Sequence, residues 1–336
     1  MSSYQHQTLH RKSSAPWDRL RPVKQDPLES VGFVSKGDTR LLNIKTQESY
    51  YHKITARYMQ FCATHSRNLN DAFAALIIDS VEDRSSQNDA SSSAASLPAR
   101  PATAASAARG LAASKYASNS TTLAPSDPAD ELSTILMSLR KLREGMLATS
   151  ATAPSPIFSQ RVHVFNIRLA ILASHPESYH ASLRYLLGVL HTRKHPLPST
   201  ELREMMSYLI LDTALRLGEI NEAYNIRHRA RRQLDYRDVE VDRVLRAVIL
   251  NDWPLFWKVR NRVDGYFRAI LQWKVESIRK LVLKTIGRAY LRCDIDWVLK
   301  NTSGGELSWE ELVKSEDVGW LRDGRHVIIR KPKTRS

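Results

Sequence analysis

Apolar side chains recur with helical spacing through most of the second half of the chain. The clearest one-sided stripe runs from Leu202 to Leu217, and Gly218 follows it as a residue type that commonly ends helices. Short segments with Pro and capping residues separate such stripes, as in HPLPST at 195–200. This spacing is typical of stacked helix hairpins, and it predicts a right-handed helical-repeat array over residues 130–275.

A second group of helices is predicted close to the C-terminus. An apolar stripe runs from Ile278 to Ala289, and shorter helical patterns follow at 294–301 and 306–317. The sequence Asp-Gly at 323–324 then favours a two-residue hairpin turn, and strand-forming residues follow it. Three helices and a terminal hairpin together predict a winged helix.

The predicted hairpin needs a surface on which to pack, because an isolated hairpin is only marginally stable. Trp320 lies just before the turn, and Val327 and Ile329 lie in the strand after it. We expect these three side chains to form either the core of the winged helix or an interface of it.

Composition divides the chain further. Residues 83–129 are mostly Ser, Ala, Pro and Thr, and they cannot bury enough apolar surface to offset the entropy of ordering. The first residues show no sustained period, and a mitochondrial presequence is the alternative interpretation of their basic excess. The predicted segments are a disordered arm at 1–40, an N-terminal helix pair at 41–82, a Ser/Ala/Pro-rich linker at 83–129, the helical array at 130–275 and the winged helix at 276–332. The predicted fold class is all-α, a right-handed helical-repeat array followed by a C-terminal winged helix with a small β-hairpin.

Charge and cysteine content narrow the classes of partner and compartment. The formal net charge of +15 favours a nucleic-acid or acidic-protein partner. Cys62 and Cys293 lack the spacing of a disulfide framework or of a zinc site. No apolar run approaches the roughly 20 residues of a membrane span, and the first residues lack a secretory apolar region. We expect an intracellular protein, cytoplasmic, nuclear or both, that does not bind membranes.

No sequence motif for catalysis is present. HExxH, GxSxG, P-loop and GxGxxG patterns are all missing from the sequence. The histidines between His163 and His195 are irregularly spaced, which favours surface or capping roles over metal binding. We therefore expect no enzymatic activity, no cofactor, no metal and no small-molecule substrate.

Two basic clusters are candidate contacts for nucleic acid or an acidic partner. One is a ridge of cations spaced four residues apart on the first helix of the predicted winged helix. The other lies in the run 227–232, whose position at a predicted helix end favours a solvated surface. The candidate contacts are Arg279, Lys280, Lys284, Arg288 and Arg292 in the ridge, and Arg227 and Arg231 in the run. The predicted third helix is mostly acidic, which argues against reading a DNA groove.

Aromatic residues concentrate between Trp253 and Trp273. We expect most of them to join the array to the winged helix as core residues, because aromatic side chains bury large areas. A platform for a partner or for stacked bases is the alternative, and it would require at least two rings to be exposed together.

The C-terminal part of the chain resembles the PCI domain. The segments VEVDRVLRAVILNDWPLFWKV and SIRKLVLKTIGRAYLRCDIDWVLK, and Gly319-Trp320 followed by a strand at 326–329, are similar to the pattern of that family. The terminal strand is similar to that of the branch that groups COP9 signalosome subunit 8, a proteasome lid subunit and initiation factor 3 subunit k, and the related GANP-type mRNA-export subunits share this organisation.

The resemblance implies a non-catalytic scaffold subunit of a large intracellular complex. Its winged helix would pair with the winged helices of sister PCI-type subunits. The alternative is an RNA-associated adaptor of the mRNA-export or splicing type that contacts nucleic acid through a basic face. The salt dependence of binding distinguishes the two hypotheses. Binding to phosphate weakens steeply as the salt concentration rises, whereas binding through an apolar interface does not.

Overall fold

The computed structural model describes residues 26–69, 71–73, 127–149 and 155–330. These residues are mainly helical, with a small three-stranded antiparallel sheet close to the C-terminus. The prediction of a mainly helical fold with a small β element close to the C-terminus is therefore confirmed, whereas the helical repeat and the winged helix stay predictions. Within the described ranges, no helix combines the length and the apolar character needed to cross a bilayer.

Two short 3₁₀ turns, Val34–Lys36 and Arg40–Leu42, precede the first α-helix. The α-helices are α1 (Ile44–Thr64), α2 (Pro128–Ala148), α3 (Pro156–Leu172), α4 (Pro176–Tyr185), α5 (Ser199–Leu215), α6 (Ile220–Leu234), α7 (Val239–Leu250), α8 (Trp253–Arg260), α9 (Gly265–Ala289), α10 (Ile295–Ser303) and α11 (Trp309–Glu316). A π-helical turn, Leu186–Leu190, extends α4. The strands are β1 (Arg292–Asp294), β2 (Leu321–Asp323) and β3 (His326–Ile328).

Capping side chains explain where several helices begin. A free backbone N–H in the first turn of a helix needs an acceptor, and a short Asx or Ser side chain just before the helix supplies one. Ser308 also forms a capping box with Glu311 at the start of α11. The Asn and Asp caps whose side chains accept such a bond are Asn43, Asp127, Asp238, Asp252, Asp264 and Asp294.

Consecutive helices pack against each other along most of the chain. The contacting pairs include α1 with α2, α3 with α4, α5 with α6, and α7 with α8. One continuous apolar core runs beneath them, and it includes the fully buried Tyr179, Tyr208 and Phe256. Burial of these one-sided stripes is the main stabilising contribution, since helices of this length are marginal alone in water.

Residues 26–40 depart from the predicted disordered arm. Leu28 and Val31 are buried, and the hydroxyl of Tyr50 in α1 donates to the Leu28 carbonyl oxygen at 2.8 Å. Gly145 in α2 permits close packing nearby, because an added Cβ would lie 2.7 Å from the Cβ of Leu41. The rest of the arm, most of the predicted 83–129 linker and most of the second helix predicted within 41–82 lie outside the described residues.

One helix joins the two groups of helices. α9 spans 25 residues and contacts α3, α5 and α8 as well as α10. Its buried side chains run from Phe267 to Ile286 without a break. The predicted boundary between the array (130–275) and the winged helix (276–332) therefore falls inside a continuous helix, because the same apolar stripe serves both sides.

The sheet follows α9 directly and is interrupted by α10 and α11. Its strand order is β1-β3-β2, with all pairs antiparallel, so β1 and β2 form the two edges. Directly opposed residues lie on the same face of a sheet. Cys293 and Val327 oppose each other on the buried face, whereas Arg292, Ile328 and Leu321 form one row on the outer face.

Candidate interaction site

Arg279 does not lie on a free basic ridge. Its guanidinium Nη1 donates to Oε1 of Glu316 at 3.1 Å, and the two side chains are only 15% and 5% exposed. The pair connects α9 to the end of α11. Arg279 is therefore placed as an internal contact between helices rather than as a residue available to a partner.

The other four cations of the predicted ridge are exposed, but two of them have acidic partners. Lys280 is ion-paired with Glu276, and this hydrogen bond raises the pKa of the lysine. Nη2 of Arg292 lies 3.1 Å from Oδ2 of Asp323 across the outer face of the sheet. Among the described residues, Lys284 and Arg288 have no ion-pair partner, so the ridge keeps two unneutralised cations.

The two candidate contacts in the run 227–232 also differ in whether they have an acidic partner. Nη2 of Arg227 donates to Oδ2 of Asp242 at 2.6 Å, which links α6 to α7, and the hydrogen bond raises the pKa of the arginine. Arg231 is exposed in the last turn of α6, where a cation is favourable against the helix dipole.

The three predicted wing residues are packed to different degrees. Val327 is fully buried, and Ile329 is half-buried while its N–H donates to the Leu291 carbonyl oxygen at 2.8 Å. Trp320 is also half-buried, and its Cζ2 lies 3.5 Å from where a Cβ on Gly287 would be. These positions place all three side chains against the core of the C-terminal module, which we define as residues 265–330.

The edge strand β2 carries exposed apolar surface. Leu321 is 59% exposed and lies beside Ile328 on the outer face of the sheet. Tyr290 and Leu291, in the link from α9 to β1 at the opposite edge of the sheet, are also exposed. An edge strand presents unpaired backbone N–H and C=O groups to a second strand. The open strand edge and the exposed Leu321 together make β2 a candidate surface for another chain to cover.

Sequence reasoning missed Tyr290, Leu291 and Leu321. A weak signal for them exists, since these apolar residues lie just beyond the end of a predicted helix and just before a predicted turn. Periodicity assigns faces only within an element, so it says little about residues at the ends of elements.

A buried polar network joins α4 to α5. The carboxylate of Asp212 is fully buried and accepts hydrogen bonds from the Tyr179 hydroxyl at 2.6 Å and from Nη2 of Arg216 at 2.7 Å. Nδ1 of His180 lies 2.9 Å from Oδ2 of the same carboxylate. Burial acts to raise the pKa of Asp212, but the hydrogen bonds from Arg216, Tyr179 and His180 outweigh it and lower the pKa. The network is ionised and internally satisfied.

Two further histidines have local structural partners. The side chain of His175 accepts from the Ser178 N–H at the start of α4, and His191 accepts from the Leu197 N–H at 3.2 Å. In the part of the chain that the structure describes, no group of three or more His, Cys, Asp or Glu side chains is arranged to hold a metal ion.

His163 gives a testable pH dependence. Burial, with a smaller effect of Arg143, lowers its pKa from 6.5 to about 3, so the folded protein holds it neutral. The unfolded chain binds a proton at higher pH than the folded chain does. The free energy of unfolding should therefore fall as pH drops below 6.5, with a slope approaching about 1.4 kcal/mol per pH unit.

The measurement is urea unfolding between pH 7 and pH 5, with wild type and His163→Phe compared. Phenylalanine retains the ring contact with Tyr185, whose centroid lies 5.0 Å from that of His163. We expect a shallower acid slope in the variant. Identical slopes would mean that His163 is accessible to protons in the folded state.

Comparison with protein-family models and with curated proteins finds no match to this chain. Its function is therefore inferred from the geometry of its own residues.

Proposed function

We propose that this protein is a non-catalytic, PCI-like scaffold subunit that binds another subunit of a large intracellular complex through its C-terminal module. The order α9-β1-α10-α11-β2-β3 supports the winged-helix part of this proposal, and the preceding helix pairs are consistent with a helical-repeat array. The observation that carries the proposal is exposed Leu321 on the edge strand β2, next to Ile328.

The physical basis of the interface is a strand edge combined with a small apolar face. A partner strand would pair with the backbone of β2, and its side chains would cover Leu321. Burial of one leucine side chain contributes about 1.5–3 kcal/mol, enough to change affinity by at least tenfold. The partner we propose is another PCI-type subunit that presents its own strand edge.

The test is affinity purification of the full chain from native extract, quantified by mass spectrometry. Leu321→Glu should reduce recovery of a winged-helix-containing partner at least tenfold, because a carboxylate cannot be buried there without a large cost. Ile157→Glu is the matched control, since Ile157 is 60% exposed on α3 and is not part of the sheet. Equal recovery with both variants would contradict the proposal.

As a second function, we propose that the protein binds RNA as an adaptor of the mRNA-export or splicing type. The observation that favours it is the formal net charge of +15, together with the exposed cations Lys258, Arg262 and Lys300, which have no acidic partner among the described residues. Such surfaces attract phosphate and release counterions on binding. This function does not exclude the first, because the strand edge of β2 and the cations that would contact phosphate are different residues.

A further inference from the structure

A groove lies between α8 and α10. Its walls are two helix faces with the same i, i+3, i+4, i+7 spacing, which places four residues of each helix on one side. The volume of the groove is about 570 Å³, within the range of small-ligand sites. The lining residues are Pro254, Trp257, Lys258 and Asn261 from α8 and its end, Arg262 after it, and Trp297, Lys300, Asn301 and Gly304 from α10 and its end.

The charge of the groove is positive and unneutralised. Lys258, Arg262 and Lys300 are exposed and form no ion pair with any described residue, and no carboxylate lines the groove. Several nearby cations are paired, as Arg260 is with Glu306 at 2.9 Å and Arg322 is with Glu310 at 2.8 Å. The three groove cations are therefore available to an anionic ligand.

The groove also presents an aromatic face. Trp297 is 41% exposed, and Tyr290 packs edge-on against it with ring centroids 5.4 Å apart. The contact with Tyr290 already restricts the rotation of the Trp297 ring. A base that stacks on the ring therefore has little further freedom to remove. Base stacking on aromatic side chains is the usual way in which proteins hold unpaired bases.

The floor of the groove is rigid. Nε1 of Trp257 donates to the Asn301 carbonyl oxygen at 2.7 Å, and Nε1 of Trp253 donates to Oδ1 of Asn301 at 3.2 Å. Gly304 has a φ of +68°, and a Cβ there would lie 3.2 Å from the Trp257 indole. These contacts preorganise the site, because bound ligand need not order it.

We infer that this groove binds a short segment of single-stranded RNA, an inference that rests on the second proposed function. Lys258, Arg262 and Lys300 contact phosphates, and the face of Trp297 stacks on one base. The exposed amide of Asn261 makes no hydrogen bond with any described side chain, so it is free to donate to a base edge. An RNA duplex does not fit this chemistry, because its bases are already stacked.

The experiment measures binding of the full chain to a fluorescein-labelled 12-nucleotide poly(U) RNA by anisotropy, from 50 to 200 mM salt. Lys258→Glu/Lys300→Glu should weaken binding at least 30-fold and reduce the salt slope by about two. Trp297→Ala should weaken binding about fivefold or more, because stacking is lost without a change of charge. Thermal midpoints should stay within a few degrees of wild type.

The matched control is Lys280→Glu/Lys284→Glu, which makes the same change of net charge on the predicted ridge. We expect a loss of less than fivefold. Equal losses for the two double variants, or a larger loss for the ridge variant, would overturn the groove as the site while leaving RNA binding in place. No binding by wild type would overturn the second function itself, and equal competition by polyglutamate would identify an acidic protein segment as the ligand instead of RNA.

Discussion

Replacing Asp212 with alanine should lower the free energy of unfolding by about 3–5 kcal/mol. The substitution removes the buried anion that pairs with Arg216 and accepts from Tyr179. Asp212 is fully buried, and Arg216 beside it is 20% exposed. Without the carboxylate, the Tyr179 hydroxyl and the Arg216 guanidinium would each lose their acceptor in the core. The loss would also uncouple α4 from α5, which this network connects.

Urea unfolding at pH 7 measures this prediction. Glu222→Ala is the control, since Glu222 forms an exposed ion pair with Arg229 at 3.1 Å, and we expect a loss of about 0.5 kcal/mol or less. The pKa of Asp212 is lowered in the folded state, so its stabilisation is complete above pH 3.8 and is lost as pH falls below that value. A loss under 1 kcal/mol in Asp212→Ala would show that water replaces the carboxylate.

The second large effect is expected at Arg279. Changing it to methionine should cost about 3–5 kcal/mol, because Glu316 would remain buried without its cation. The methionine retains most of the packing of the arginine stem, so the loss reports the charge rather than the volume. Thermal or urea unfolding of the full chain provides the measurement.

Lys280→Met is the matched control for Arg279, being the next residue on the same helix. The lysine and its partner Glu276 are 61% and 70% exposed, so we expect no measurable loss of stability. Similar small losses at both positions would place Arg279 on the surface, as the spacing of the predicted ridge suggested.

Most of the helical fold could be predicted from the sequence, because a buried helix face leaves a regular stripe. The Leu202 to Leu217 stripe corresponds to α5, Ser199–Leu215. β1 could not be predicted, since three residues are too few to establish a period and β1 is stabilised by pairing with β3. The start of α9 was also missed, because its first turns are rich in aromatic residues that suggested a junction.

The candidate site was less predictable than the fold. Whether a cation is free depends on acids brought in by other elements, as Glu316 reaches Arg279 from 37 residues away. The two walls of the groove share a helical spacing, but Trp257 and Trp297 belong to separate helices. Their common face was not apparent until α8 and α10 were placed side by side.

The length of α9 sets a geometric relation between the proposed docking surface and the rest of the protein. A helix of 25 residues is about 37 Å long, and α9 contains no proline that would bend it. A partner bound at the sheet would therefore be rigidly connected to the distant helices, because α9 has no hinge between them. The angle between two bound partners would be fixed before they bind, so the chain would set their relative orientation in the proposed assembly.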